Sequence, residues 1–237
     1  MAREKIFRFK QFAVLNDRTA MKVGTDGVLL GAWCPVAGSR RVLDVGTGCG
    51  VIALMVAQRN NVAMIEGIDI DPEAIGEAVH NFENSPWSNR LKAIETDFNR
   101  LVAAESYDLI VSNPPYFVDS LLPDHEARTL ARHTCTLTYR QLIEGAARML
   151  NSNGILAMIS PTDVEADIIE AATFASLPVK VMTRVIPVEG SAPKRTLWQL
   201  SRNDAIGYRQ DSLTIAKLDG TFTREYIELT GAFYLKM

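Results

Sequence analysis

The chemistry-bearing residues of this 237-residue chain gather where apolar runs stop. Leu109-Ile110-Val111-Ser112 leads into Asn113-Pro114-Pro115-Tyr116. An asparagine side-chain oxygen and a backbone carbonyl stiffened by proline can accept two hydrogen bonds from one planar amino group. Such an amine is a poor nucleophile, because its lone pair is delocalised into the ring that carries it. Two fixed acceptors favour a more pyramidal nitrogen while a new bond forms, and no proton has to leave first. This is electrostatic preorganisation aimed at developing charge. Tyr116 is suited to stack on the ring, a contact worth about 1–3 kcal/mol.

A second cluster, Val42-Leu43-Asp44-Val45-Gly46-Thr47-Gly48-Cys49-Gly50, has an apolar run, an acid and three glycines before a helical pattern begins. Glycines at Gly46, Gly48 and Gly50 allow backbone angles closed to other residues and let a ligand approach the main chain. The spacing is G-x-G-x-G, whereas a dinucleotide turn favours G-x-G-x-x-G with a pyrophosphate on the helix N-terminus. S-adenosylmethionine has no pyrophosphate; its sulfonium is cationic and its amino-acid end zwitterionic, which gives Asp44 a role toward it. Asp69, ending the run Ile65-Glu66-Gly67-Ile68, can accept from both hydroxyls of a ribose. Asp71 reads instead as the cap of a helix opened by Pro72. Asp97 can accept from an adenine amino group, with Phe98 beside the ring.

Alternating elements must position these residues. Strands are expected over 41–45, 63–70, 91–95, 107–112, 154–160, 179–188, 196–201 and 213–217. Helices are expected from Thr25 or Asp26 to Trp33 and over 50–59, 72–82, 137–150, 163–175 and 223–233. The first residues read as a short hairpin, 6–15 against 19–23, with Asn16-Asp17 at the turn. The pattern implies an α/β, Rossmann-like fold: a mixed, mostly parallel seven-stranded sheet with helices on both faces, plus a short N-terminal hairpin and helix. In open parallel sheets the carboxyl ends of the strands hold the ligand, and every cluster above lies at such an end. The expected organisation is one domain over 1–237, with an extension over 1–38, a core over 39–202, and a final strand and helix over 203–237.

Composition narrows the classes further. A net charge of −3 argues against coating nucleic acid by bulk electrostatics. Residues 1–22 and 180–209 each nevertheless hold six cations against two anions, and suggest one basic face for a polyanion. Three separated cysteines (Cys34, Cys49, Cys135) give no zinc or disulfide pattern, so no metal is expected. No apolar run of membrane-spanning length or leader-like start is seen, and a cytoplasmic location with no membrane partner is the expectation.

Taken together, these motifs resemble class I methyltransferases with an Asn-Pro-Pro-Tyr motif. More narrowly, the chain is similar to bacterial tRNA adenine-N6 methyltransferases that act at position 37 of a valine tRNA. The narrower likeness rests on Asp17–Trp33, Ser85-Pro86-Trp87, Asn113–Tyr116, Glu126–Arg132 and the ending Gly231–Met237. The resemblance implies S-adenosylmethionine as donor, held by Asp44, Gly46, Gly48, Gly50, Asp69 and Asp97, with Thr25 and Asp26 near its methionine end. It implies that Asn113, Pro114, Pro115 and Tyr116 hold the base, and that the partner is a tRNA anticodon loop. The same four-residue motif also serves guanine-N2 methylation of ribosomal RNA and glutamine-N5 methylation of release factors. The few residues before the first core strand leave no room for the separate helical domain usual in the latter. Readings from other classes are a nicotinamide oxidoreductase, which lacks its glycine spacing here, and a catalytically silent RNA-binding module.

Overall fold

A computed structural model describes residues 6–19, 22–102, 106–114 and 137–236. Eight strands make one sheet: β3 (Arg41–Val45), β4 (Met64–Asp69), β5 (Leu91–Glu95), β6 (Tyr107–Ser112), β7 (Leu150–Pro161), β8 (Val179–Val188), β9 (Arg195–Ser201) and β10 (Arg209–Ala216). Their order is β10-β8-β9-β7-β6-β3-β4-β5. All neighbours are parallel except β9, which runs antiparallel to both β7 and β8. The sheet is therefore mixed and mostly parallel, as expected, but has eight strands rather than seven. The eighth is β10, which lies parallel to β8 at the edge and begins four residues before its apolar pattern does; residues 209–212 are exposed and polar.

The helices are α1 (Thr25–Trp33), α2 (Val51–Arg59), α3 (Pro72–Glu83), α4 (Tyr139–Met149), α5 (Glu165–Phe174) and α6 (Arg224–Thr230). The central strands feed both faces of the sheet through their period-two alternation. Val42, Leu109, Val111, Ala157 and Ile159 join a core with α1, α2 and α3 residues. Leu43, Val45, Ile110, Leu156 and Met158 join a second core with α4 and α5. Burial on both faces is why these strands read as continuous apolar runs. Trp198 on β9 is fully buried in the second core, and its indole N–H donates to Ser160 Oγ on β7 at 2.9 Å.

The N-terminal hairpin differs from the expected one. β1 (Ile6–Arg8) pairs with β2 (Ala13–Leu15); of the expected partner 19–23, residues 20 and 21 lie outside the described residues, and Thr19, Lys22 and Val23 belong to no strand. The turn falls earlier because Phe9 N–H donates to Phe12 O at 2.9 Å and the two rings stack 4.5 Å apart. Asn16 is buried and receives the Thr19 hydroxyl, so its turn chemistry steers the chain away from the hairpin. The hairpin docks on the end of the chain: Lys10 N–H donates to Phe233 O at 2.8 Å, and Phe7 and Phe9 pack on Tyr234.

Two helix starts repay comparison with their expected caps. Asp71 caps α3 by accepting from Glu73 N–H, with Pro72 in the first turn. α1 is capped by the extended backbone of Gly24, and Thr25 and Asp26 lie inside its first turn instead of capping it. We expect Trp198→Ala to lower the free energy of unfolding by about 3–5 kcal/mol, from the void it leaves between β9 and the α4–α5 layer. Chemical denaturation measures it, and a loss below about 1 kcal/mol would mean that layer collapses around the gap.

Candidate functional site

The carboxyl ends of β3, β4, β5 and β6 and the N-terminus of α1 enclose one cavity of about 1050 Å³. Its walls include Thr25, Asp26, Gly46, Gly48, Asp69, Asp97, Phe98, Asn113 and Pro114, so nine residues singled out in the sequence meet there. Pro115 and Tyr116 lie outside the described residues.

The start of the glycine turn is fastened to the neighbouring strand β4 through one backbone carbonyl. Gly46 N–H and Thr47 N–H both donate to Ile68 O at 2.9 Å, and Gly50 N–H closes the turn onto Thr47 O at 2.8 Å. Gly46 (φ 70°) and Gly48 (φ 55°) occupy the left-handed region, and a Cβ on either would point into open space. Glycine is needed there for backbone angle, and the open space leaves the main chain bare toward a ligand. Gly50 (φ 83°) serves a different end. A Cβ there would sit 2.4 Å from Phe82 of α3, so this glycine lets helix and turn pack together and does not line the cavity.

Asp44 also departs from its expected place. It is fully buried beneath the turn and is not part of the cavity wall. Its Oδ2 accepts from Thr47 Oγ1 at 2.8 Å and from Ala53 N–H at 3.2 Å, joining the turn to the start of α2. Its Oδ1 has no hydrogen-bond partner among the described residues. Burial pushes the carboxyl up to about 7, against the pull of those two hydrogen bonds and with a further push from Asp69.

Asp69 does reach the cavity. Its Oδ2 accepts from Gly48 N–H at 3.0 Å and its Oδ1 from Asp71 N–H at 3.1 Å, which orients the carboxylate at the end of β4. Asp97 lines the cavity and also caps the short turn Phe98–Arg100 through Asn99 N–H at 2.9 Å. Phe98 is buried against α4, where a Cβ on Gly145 would meet it at 2.4 Å; only part of the ring is left for the cavity. Asp26 forms an ion pair with Arg195 at 2.8 Å, which ties α1 to the start of β9. Ser112, just before Asn113, donates to Val45 O at 2.8 Å and so holds the end of β6 against β3.

Several residues in or behind the cavity wall were not singled out from the sequence. Ile70 lines the cavity as a half-exposed apolar side chain between two acids. Glu77 and Asn81 are polar yet 2 % exposed each, on the face of α3 that also buries Ala74, Ala78 and Phe82. Polar residues four apart within an apolar helical stripe were the available signal. Burial raises the Glu77 carboxyl, but N–H groups of Arg18, Thr19 and Asp17 and the Thr19 side chain outweigh it and hold it below the usual range.

The basic segments are largely engaged within the fold. Arg184 pairs with Glu165, Lys180 with Asp204, Arg209 with Asp211 and Arg18 with Glu73. Lys10, Lys22 and Arg202 donate to backbone carbonyls. Among the described residues no group of three metal-ligating side chains exists, and no helix is long and apolar enough to cross a membrane.

Comparison with known proteins agrees with this geometry. Residues 24–183 match the family described as methyltransferase small domain. A tRNA1(Val) (adenine(37)-N6)-methyltransferase of Flavobacterium psychrophilum is 45% identical over 236 residues, covering 98% of this chain and 100% of that protein. One of the same name from Aeromonas hydrophila is 44% identical over 238 residues, covering 100% of each. Among solved structures, a predicted O-methyltransferase from Agrobacterium tumefaciens superposes with a TM-score of 0.65 at 23% identity, over 88% of this chain and 96% of that one. At that identity the likeness concerns the fold.

The buried carboxyl of Asp44 makes stability depend on pH. It ionises at about 4 in an unfolded chain and at about 7 in the fold. Between those values the folded state holds the extra proton, so stability falls as pH rises through the interval and levels off above it, by about 4 kcal/mol in all. We expect Asp44→Asn to remove that component, so that urea unfolding from pH 5 to 8 shows the variant's stability declining less than the wild type's. Parallel declines would assign the dependence to other groups.

Proposed function

We infer that this chain, which belongs to the methyltransferase small-domain family and to the family of tRNA1(Val) (adenine(37)-N6)-methyltransferases, methylates N6 of an adenine in tRNA with S-adenosylmethionine as donor. The observation that carries the reading is the sharing of one cavity wall by Asn113 and Pro114 with the glycine turn Gly46–Cys49. By the relatives' name the target is adenine 37 of a valine tRNA; an anticodon-loop partner and a cytoplasmic setting belong to the same proposal.

The residues present fit the donor. The bare backbone at Gly46 and Gly48 leaves room for it, and the carboxylate of Asp69 stands oriented at a strand end where ribose hydroxyls would donate to it. Asp97 would take the adenine amino group, and Thr25 and Asp26 would face the methionine end. When bound, the donor supplies a methyl group on a cationic sulfur. The protein's part is then to hold the acceptor. Asn113 Oδ1 and the Pro114 carbonyl accept from the two N–H groups of the target amine and direct its lone pair toward the donor's methyl group. The amine needs no base before transfer, since its surplus proton becomes acidic only as the new bond to the methyl group forms and the carbon–sulfur bond breaks; that proton then passes to water. Pro115 and Tyr116 complete the base site in this reading, with Tyr116 stacked on the ring. The base must leave its stack to reach the cavity, a cost of a few kcal/mol for a single-stranded nucleotide.

Total tRNA, ribosomal RNA and release factor offered with labelled donor test the substrate class. Label in tRNA, recovered as N6-methyladenosine, is the expected result; label in release factor or ribosomal RNA alone overturns it. Asn113→Ala should lower kcat by about two orders of magnitude, with donor affinity, read by calorimetry, near that of the wild type. Loss of donor binding would mark Asn113 as a structural residue instead.

A further inference from the structure

One wall of the cavity is formed by chain that belongs to no strand or helix. Between β2 and α1, Thr19, Lys22, Val23 and Gly24 line it. Backbone groups in such a segment still need partners once water is excluded. Here three successive donors converge on one side chain: Asp17 N–H (2.6 Å) and Arg18 N–H reach Glu77 Oε1, and Thr19 N–H reaches Oε2 at 3.1 Å. Two of the segment's carbonyls are gathered too, since Lys22 Nζ donates to Asp17 O and Thr19 O at 2.8 Å each.

The same face of α3 also grips the opposite partner of that wall, the glycine turn. One helical turn beyond Glu77, Asn81 donates to Cys49 O at 2.8 Å, and it exchanges hydrogen bonds with both backbone groups of Leu15. A buried carboxylate is costly unless fully hydrogen-bonded. A helix that needed only to pack could use an apolar residue there. What Glu77 supplies is a fixed path for the backbone that becomes the cavity wall.

We propose that Glu77 is a positioning residue for the donor site: its carboxylate sets the 17–19 backbone, and with it Thr19 in the cavity wall and the two carbonyls that hold the wall residue Lys22, against a glycine turn fixed by Asn81 on the same helix. This rests on reading the cavity as the S-adenosylmethionine site. Glu77→Gln keeps the size but replaces one acceptor oxygen by a donor, which must then face a backbone N–H. Glu77→Asp keeps both acceptors on a shorter arm.

The test is calorimetric titration of the full chain with S-adenosylmethionine, joined to amide hydrogen exchange at residues 17–19 and to tRNA binding without donor. Glu77→Gln should weaken donor affinity about tenfold, or about 1.4 kcal/mol, and speed exchange at 17–19, while tRNA affinity holds. Glu77→Asp should recover part of the loss, and Glu73→Gln, an exposed neighbour, should change donor affinity by about twofold at most. Faster exchange at 17–19 with unchanged donor affinity overturns the proposal, as does an equal loss of donor and tRNA affinity, which would mean general damage. A wild type that binds no donor overturns the reading of the cavity and this proposal with it.

Discussion

Gly46 and Thr47 direct their N–H groups at the same carbonyl, Ile68 O, and much of the site follows from that convergence. Two successive amides can reach one acceptor only if the chain bends sharply, and Gly46 and Gly48 supply the bend with positive φ. The bend brings Gly48 N–H within reach of Asp69, so β3's loop and β4's terminal acid become one rigid unit. Ser112, bonded to Val45 O, adds the end of β6 to it. The spacing between the glycine turn and Asn113 is thereby set by parallel-sheet geometry and short hydrogen bonds, with no flexible linker between them.

Beneath this unit lies the carboxyl of Asp44. A carboxyl so buried, with one oxygen unpartnered among the described residues, opposes stability when ionised. Its compensation is geometric: it ties Thr47 to the first turn of α2, where an acid also meets the positive end of the helix. Asp44 thus supports the cavity from below while Asp69 faces into it.

The sheet and its helices were legible because strands buried on both faces read as unbroken apolar runs and helices as periodic ones. The site was legible where a strand's end carried an acid or an asparagine, as at Asp69, Asp97 and Asn113. What escaped were relations that only the tertiary structure creates. Asp44 and Asp69 look alike in sequence, each an acid near a strand's end, yet one points into the core and the other into the cavity. The hairpin register escaped because Phe9 and Phe12 stack across a turn that alternation alone does not mark. The eighth strand was visible as a strand, but its place beside β8 follows from pairing, not from pattern.

Charge around the cavity explains how a cationic donor and a polyanionic substrate could share one entrance. The wall carries five carboxylates, Asp26, Asp69, Asp71, Glu95 and Asp97, against Lys22 and Arg100. Such a lining favours a cation and opposes a pyrophosphate, which agrees with a glycine spacing unlike that of dinucleotide sites. It also opposes the phosphate backbone of RNA, so only an uncharged base should enter, with its phosphates kept to the rim. The cations of 180–209 are mostly paired within the protein, Arg184 with Glu165 and Arg195 with Asp26 among them. A phosphate engaging them must compete with carboxylates already in contact, so each such contact gains less than the full charge would suggest. Affinity for RNA should then rest more on the gripped base than on the backbone, which is the arrangement an enzyme selecting one exposed adenine requires.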